Sequence, residues 1–220
     1  MGLDHSPLIV TNGLQVFLDA GNVRSYSGTG NTAFDLSGTG NTSALTNGPT
    51  FNSSNLGAFV LDGTNDYILV NSQANILSKT AYTKLAWFYV TSFSTSNNII
   101  SGGFSGQHAF WLFASNRLYA GHNGNWSTVT GNTILSLSTW YHGAVTYSNS
   151  TGWVLYLNGT QDGTSLDTTT FTGNQEISIG SYGTGNNFTG RIASVQVYNR
   201  VLSASEIVQN YNATKRRFGL

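Results

Sequence analysis

Two stretches of this sequence gather side chains that could hold a ligand. Asp62-Gly63-Thr64-Asn65-Asp66 offers oxygen ligands from Asp62, Asn65 and Asp66 within one turn. Carboxylate and amide oxygens suit a hard cation such as Ca²⁺. Asp19 and Asn22, or Asp35, could complete the shell if their turns converge on this one. Alternatively, Asp62 and Asp66 bond backbone N–H groups of their own turn, a habit of short acidic side chains. The second stretch is Tyr119-Ala120-Gly121-His122-Asn123-Gly124-Asn125-Trp126. An exposed aromatic ring offers an apolar face to a sugar, while amides and imidazoles can satisfy hydroxyls. His108 and Trp111 precede this stretch by one hairpin and are expected to share its face. Tyr119, His122, Asn123, Trp126 and His108 are therefore the candidate glycan-binding set.

The elements that must position these residues read as strands. Apolar or alternating runs recur at Leu14 to Leu18, Phe59 to Leu61, Tyr67 to Val70, Leu85 to Val90 and Ala109 to Phe113. They continue at Arg117 to Ala120, Trp140 to Tyr147, Val154 to Leu157, Ile177 to Ile179 and Ile192 to Tyr198. Alternation in twos puts Trp153, Leu155 and Leu157 on one face, and Ile177 with Ile179. Asn158-Gly159 fits the two positive φ values of a tight hairpin turn. Trp87, Trp111, Trp140 and Trp153 sit inside strand patterns and are expected mainly in the core; Trp126 lies outside any long apolar run. One helix is readable. Ser203-Ala204-Ser205-Glu206 is a capping box leading into two or three turns, which are expected to plug one end of the structure. Ser-Gly-Thr-Gly-Asn-Thr occurs at 27–32 and 37–42, and Tyr182-Gly183-Thr184-Gly185-Asn186-Asn187 echoes it. None of these leads from a strand into a helix, so they read as surface turns and not as phosphate cradles.

Composition sets the limits. The chain has 220 residues, 39% of them hydrophobic, 13% aromatic and only 8% charged. Short aromatic-rich strands without helical spacers indicate an all-β, two-sheet antiparallel sandwich. No linker divides the chain, so one domain is expected over 1–220, with its core at about 13–215 and a short arm at 1–12. Net charge is zero and no basic stripe is present, so nucleic acid is not an expected partner. There is no cysteine, hence no disulfide or thiolate metal site. Asp4, His5 and Pro7 interrupt the first residues, which lack a signal peptide's apolar stretch, and no run approaches a membrane span. A product of a reducing cytoplasm, without membrane insertion, is expected.

Several segments carry a family pattern in order. They are Gly13-Leu14-Gln15-Val16-Phe17-Leu18-Asp19, Phe34-Asp35-Leu36-Ser37-Gly38, Phe59-Val60-Leu61-Asp62-Gly63, Trp140-Tyr141-His142, Leu155-Tyr156-Leu157-Asn158-Gly159 and Gly190-Arg191-Ile192-Ala193-Ser194-Val195 with the residues to Ser203. Together they resemble the laminin-G-like, concanavalin A-like lectin/glucanase jelly rolls. The flanks, His5 to Gly13 and Asn210 to Lys215, look like the ends of tailed-phage structural products. The resemblance implies a jelly-roll sandwich, and a virion surface protein that decorates a head or forms part of a fibre or tail. Its implied partners are capsid or tail proteins, with self-association into an oligomer. The alternative it implies is a lectin-like adhesin for polysaccharide; relatives of this fold hold Ca²⁺ at the sandwich rim, which makes Ca²⁺ a candidate cofactor here, with the backbone-bonding reading of the Asp62 turn preferred to it. The glucanase branch of this family uses the spacing Glu-x-Asp-x-x-Glu. Retaining hydrolysis needs two carboxyl groups about 5 Å apart. This chain has only Glu176 and Glu206; the second belongs to the capping box, and the first has no acidic neighbour within four residues. No nucleophile elbow accompanies the histidines either. A hydrolase is the least expected of the three readings, and no enzyme is expected.

Overall fold

Runs that are apolar on alternate residues give strands with one covered face, and runs apolar on both faces give strands covered twice. Both kinds occur here. A computed structural model describes residues 8–71, 76–94, 96–102, 107–113, 115–174, 176–183 and 185–220. Asp4, His5 and Pro7 of the arm, and Thr184 of the third glycine-rich turn, lie outside the described residues.

The strands are β1 (Leu14–Asp19), β2 (Thr32–Phe34), β3 (Thr42–Thr46), β4 (Thr50–Asn52), β5 (Ala58–Asp62), β6 (Tyr67–Asn71), β7 (Ala81–Val90), β8 (Asn97–Asn98) and β9 (Ile100–Ser101). They continue with β10 (His108–Leu112), β11 (Leu118–His122), β12 (Asn125–Thr130), β13 (Trp140–Ser148), β14 (Gly152–Leu157), β15 (Thr160–Ser165), β16 (Ile177–Ile179) and β17 (Thr189–Tyr198). One layer is an eight-stranded sheet in the order β15-β14-β13-β7-β17-β5-β4, with β1 also paired to β17. The other comprises β12-β11-β10-β8 and β2-β3-β6-β16-β9. Ile99, between β8 and β9, joins these two. Its N–H donates to Phe110 O at 2.9 Å, and its carbonyl accepts from Gly180 N at 3.2 Å. All pairings are antiparallel, as the sandwich expectation required.

The main core fills the space between the layers. It takes Tyr82, Phe88, Trp153 and Leu155 from the large sheet, and Ile68, Phe110, Leu118 and Ile177 from the other. Ten of the strands follow the apolar runs. The strands without such a run, such as β15 (TQDGTS) and β12 (NWSTVT), are polar. Both lie at sheet edges, where backbone pairing on one side suffices. At Asn158-Gly159 both φ values are positive, 50° and 81°, as the hairpin between β14 and β15 requires.

The helix α1 (Ala204–Thr214) has the full capping box: Ser203 Oγ accepts from Glu206 N, and Glu206 Oε2 accepts from Ser203 N. Arg200 clamps the same glutamate at 2.6 Å. Its position corrects the expectation that it plugs an end. It lies on the outer face of the large sheet, where Ile207 and Leu202 pack on Leu85, Ala144, Tyr156 and Tyr198. Phe218, just beyond the helix, stacks on Trp87 with ring centroids 4.0 Å apart. The reason is that β7, β13 and β17 are apolar on both faces, so the back of the sheet also needs a cover. Ser203→Ala should cost about 1 kcal/mol in urea unfolding; no change would mean that Arg200 alone holds Glu206.

A candidate glycan-binding cleft

Strands β10 and β11 pair with His108 opposite His122, Phe110 opposite Ala120 and Trp111 opposite Tyr119. Side chains alternate along each strand, so residues an odd number apart face opposite ways. His108 and His122 therefore point into the sandwich, fully buried or nearly so at 0% and 3% exposure. Trp111 and Tyr119 point outward, half-buried. This corrects the expectation that His108 and Trp111 share a face, and it removes both histidines from the surface.

Inside, the histidines are committed. His108 Nε2–H donates to Glu176 O at 3.0 Å, which leaves Nδ1 to accept from Lys84 Nζ at 2.7 Å. Lys84, with no exposed surface, also donates to Ile100 O. His122 Nε2–H donates to Thr169 O at 2.8 Å, while Tyr82 OH faces its Nδ1 at 3.2 Å. Burial pushes the His122 imidazole down to about 4 and His108 well below its ordinary value; the nearby Lys84 lowers His108 further. Burial likewise pushes the Lys84 ammonium far down. Asn123 is also committed: its amide donates to Thr170 O, and its carbonyl accepts from Thr172 N and Thr172 Oγ1.

Outside, a cleft of about 250 Å³ opens between Trp111, Trp126, Tyr182, Asn98, Asn186, Ser96 and Ala109. Trp126 comes from β12, a strand that lies outside the long apolar runs. The signal that could have shown it is Asn123-Gly124, whose φ values of 55° and 88° repeat the hairpin turn seen at Asn158-Gly159. Gly121 lets β12 close in: a Cβ there would collide with Asn125 O. The close approach lets Trp111 Nε1–H donate to Trp126 O at 2.7 Å. The Trp126 and Tyr182 rings touch, with centroids 5.0 Å apart at 59°, and form one continuous aromatic wall of the cleft. Trp111 is backed by Tyr119 at 5.1 Å and Phe113 at 5.8 Å. Tyr119 OH is held by Ser115 Oγ. Asn98 Nδ2 donates to Asn186 O at 3.0 Å and Asn98 Oδ1 accepts from Ser101 Oγ, which anchors the cleft's floor. The described residues lining the cleft bring rings, amides, hydroxyls and a methyl group, all uncharged. Of the expected set, Trp126 lines the cleft and Tyr119 supports it. Trp87 and Trp153 are core, as expected, whereas Trp111 and Trp140 are only half-buried.

The Asp62 turn shows the backbone-bonding alternative. Asp62 Oδ1 accepts from Thr64 N at 2.7 Å and Asn65 N at 3.3 Å, and Asp66 Oδ2 accepts from Asp62 N at 3.2 Å. The Thr64 amide is the main cause holding the Asp62 carboxyl below its ordinary range. Asn65 O accepts from Asn47 Nδ2. Asp19 is elsewhere: Asp62 pairs with Thr189 and Asp19 with Ser194 on β17, five residues and so about 16 Å apart along the strand. Its carboxylate pairs with Arg217 at 2.6 Å. The expected set of Asp62, Asn65, Asp66 and Asp19 is therefore not assembled. Among the described residues, no three His, Cys, Asp or Glu side chains are grouped to hold a metal ion.

The family model described as the concanavalin A-like lectin/glucanases superfamily matches residues 62–208, well over half of the chain. The chain belongs to this superfamily. None of the curated proteins compared with it matches. Among solved structures, the fourth domain of an extracellular arabinanase from Geobacillus stearothermophilus, in complex with arabinotriose, is similar. It shares 18% identity at a TM-score of 0.68, with 90% of this chain and 98% of that chain covered. Trypanosoma rangeli sialidase in complex with sialic acid is 14% identical at 0.71, covering 97% of this chain and 36% of that one. A botulinum neurotoxin type C whose cell entry depends on two ganglioside molecules is 14% identical at 0.71, covering 93% and 52%. The chain thus spans about a third of the sialidase and half of the toxin chain. At these identities the likeness is one of fold, a lectin/glucanase-type sandwich.

Proposed function

We propose that this protein is a carbohydrate-binding module that takes a neutral glycan in the Trp111–Trp126–Tyr182 cleft and does not hydrolyse it. The observation that carries the reading is the cleft lined by the Trp111, Trp126 and Tyr182 rings with Asn98 and Asn186, in which none of the described lining residues is charged. Ring faces cover the apolar face of a pyranose or furanose, and amides meet its hydroxyls. That none of the described lining residues carries a carboxylate supports a binding role over hydrolysis, since glycoside cleavage needs an acid and a second carboxylate across the bond. Glu206 is held by Arg200 and the helix N-terminus, and its carboxyl is lowered to about 2 mainly by that arginine. The flanks' likeness to tailed-phage structural products supports carrying the module on a virion surface, where capsid or tail proteins would be its partners; mass spectrometry of purified particles lacking the protein would end that part of the proposal.

A glycan array tests the binding role. The protein should bind neutral oligosaccharides, and Trp126→Ala should weaken binding by about 2 kcal/mol, roughly 30-fold. Binding unchanged in Trp126→Ala and Trp111→Ala, or absent for every glycan, would overturn the reading. Reducing ends released from a bound glycan would overturn its non-enzymatic part.

A further inference from the structure

The polar side chains around the cleft fall into two groups. Some are spent on the scaffold: Trp111 Nε1–H donates to Trp126 O, and the Asn98 amide is tied to Asn186 O and Ser101 Oγ. Four others are not. Ser96 Oγ–H, Trp126 Nε1–H, Tyr182 O–H and the Asn186 side-chain amide have no hydrogen-bond partner among the described residues. They come from separate segments (the β7–β8 connection, β12 and the turn after β16), yet all line the same space. The fold therefore leaves these groups for something else. The indole only donates, whereas the hydroxyls and the amide both donate and accept. A sugar hydroxyl also does both, so each of its hydroxyls can find a counterpart in this set.

The space they share is small. At about 250 Å³ it falls below the roughly 300–1,000 Å³ of pockets that take drug-sized ligands. It exists because Ala109, on its floor, pairs with Gly121, so neither strand raises a bulky side chain there.

The aromatic wall is also bent, with the Trp126 and Tyr182 rings in contact at 59°. A glycan chain lying extended over a protein stacks its successive units on ring faces that share one plane. Two touching rings set at an angle face a single unit together. Tyr182 is pinned in that pose. Its N–H donates to Gly185 O at 3.1 Å, its carbonyl accepts from Gly185 N at 3.2 Å, and Ser181 Oγ–H donates to Gly183 O at 3.3 Å. A site built in its binding pose loses little on closing around its ligand, and it resists flattening to admit a longer stretch of chain.

We propose that the cleft seats one sugar unit, held by Ser96, Trp126, Tyr182 and Asn186, with the rest of the glycan outside in solvent. This rests on the carbohydrate-binding reading above and names its ligand class: the end or a branch unit of a neutral glycan, with a monosaccharide carrying nearly all of the affinity.

The test titrates the whole protein, by NMR, with methyl α- and β-glycosides of glucose, galactose, mannose, xylose and arabinose, and with the matching di- and trisaccharides. For a sugar that binds, the trisaccharide should be no more than about fivefold tighter than the methyl glycoside, the worth of one hydrogen bond. Ser96→Ala and Asn186→Ala should each weaken the methyl glycoside about fivefold. Ala109→Leu fills the cleft without removing a ring and should abolish binding. A trisaccharide tighter by more than that margin overturns the single-unit proposal and leaves the carbohydrate-binding reading standing. Unchanged binding in Ser96→Ala, Asn186→Ala and Ala109→Leu would place the sugar elsewhere and overturn the proposal too. Binding to no glycan of any length overturns both.

Discussion

Lowering the pH from 7 to 4 should remove on the order of 3 kcal/mol or more of folding stability, a large share of a typical domain's total. The groups responsible are the buried histidines. His142 has no hydrogen-bond partner at Nδ1 among the described residues and packs beside the stacked rings of Trp87, at 5.2 Å, and Tyr211, at 5.8 Å. Burial pushes its imidazole down to about 3, and that of His122 to about 4. In the unfolded chain both titrate near 6.5. Above that pH both states are neutral and the histidines contribute no pH dependence. As pH falls below 6.5 the unfolded chain takes up protons that the folded one refuses, and stability declines. The decline continues to about pH 4 for His122 and about pH 3 for His142, then levels off. His108 shifts in the same direction, with Lys84 beside it and, among the described residues, no carboxylate hydrogen-bonded to either. Thermal unfolding at pH 7, 6, 5 and 4 should show a Tm that drops at each step. A Tm flat from pH 7 to 5 would contradict the account, and His142→Phe should shrink the drop.

Phe171→Ala should cost about 3–5 kcal/mol, although Phe171 sits in a segment without regular secondary structure. The ring is fully buried. It stacks on His122 at 5.4 Å and meets His108 edge-on at 5.6 Å. Around it the segment is strapped down: Thr169 O accepts from both His122 and Tyr147, and Glu176 O accepts from His108. Losing the ring leaves a cavity over the two histidines and frees the strap. Because those histidines back the strands that present Trp111 and Tyr119, glycan affinity should fall as well. Urea unfolding gives the number. A loss under about 1 kcal/mol would show that the strap is held by its hydrogen bonds alone, whereas Phe171→Leu should recover most of the stability.

Much of the fold was legible because its determinants are local. Alternation exposed the long strands, the Ser203–Glu206 box marked α1, and Asn158-Gly159 marked its hairpin. Polar edge strands escaped notice because backbone pairing needs no side-chain pattern. The candidate site was legible only in part. Trp126 was singled out for lying outside the apolar runs, but His108 and His122 were placed on the wrong face, although counting in twos from Trp111 and Tyr119 would have turned them inward. Their chemistry, imidazole next to aromatics, suits a sugar site and a buried network equally, and only the sandwich decides between them. Tyr182 and Asn186 belong to the third glycine-rich turn, legible as a turn but brought to the cleft from far along the chain, which nothing local signals.

The central claim is that sugar binds on the outer face of β10 to β12, against Trp111 and Trp126. Nitrogen-15 NMR of the indole N–H groups tests it most directly, since the chain has five tryptophans and each gives its own signal. On titration with a neutral oligosaccharide that binds, the Trp111 and Trp126 signals should shift together, while those of Trp87, Trp153 and Trp140 stay in place. Shifts confined to Trp140 or Trp87, or binding that leaves all five indoles unmoved, would contradict it.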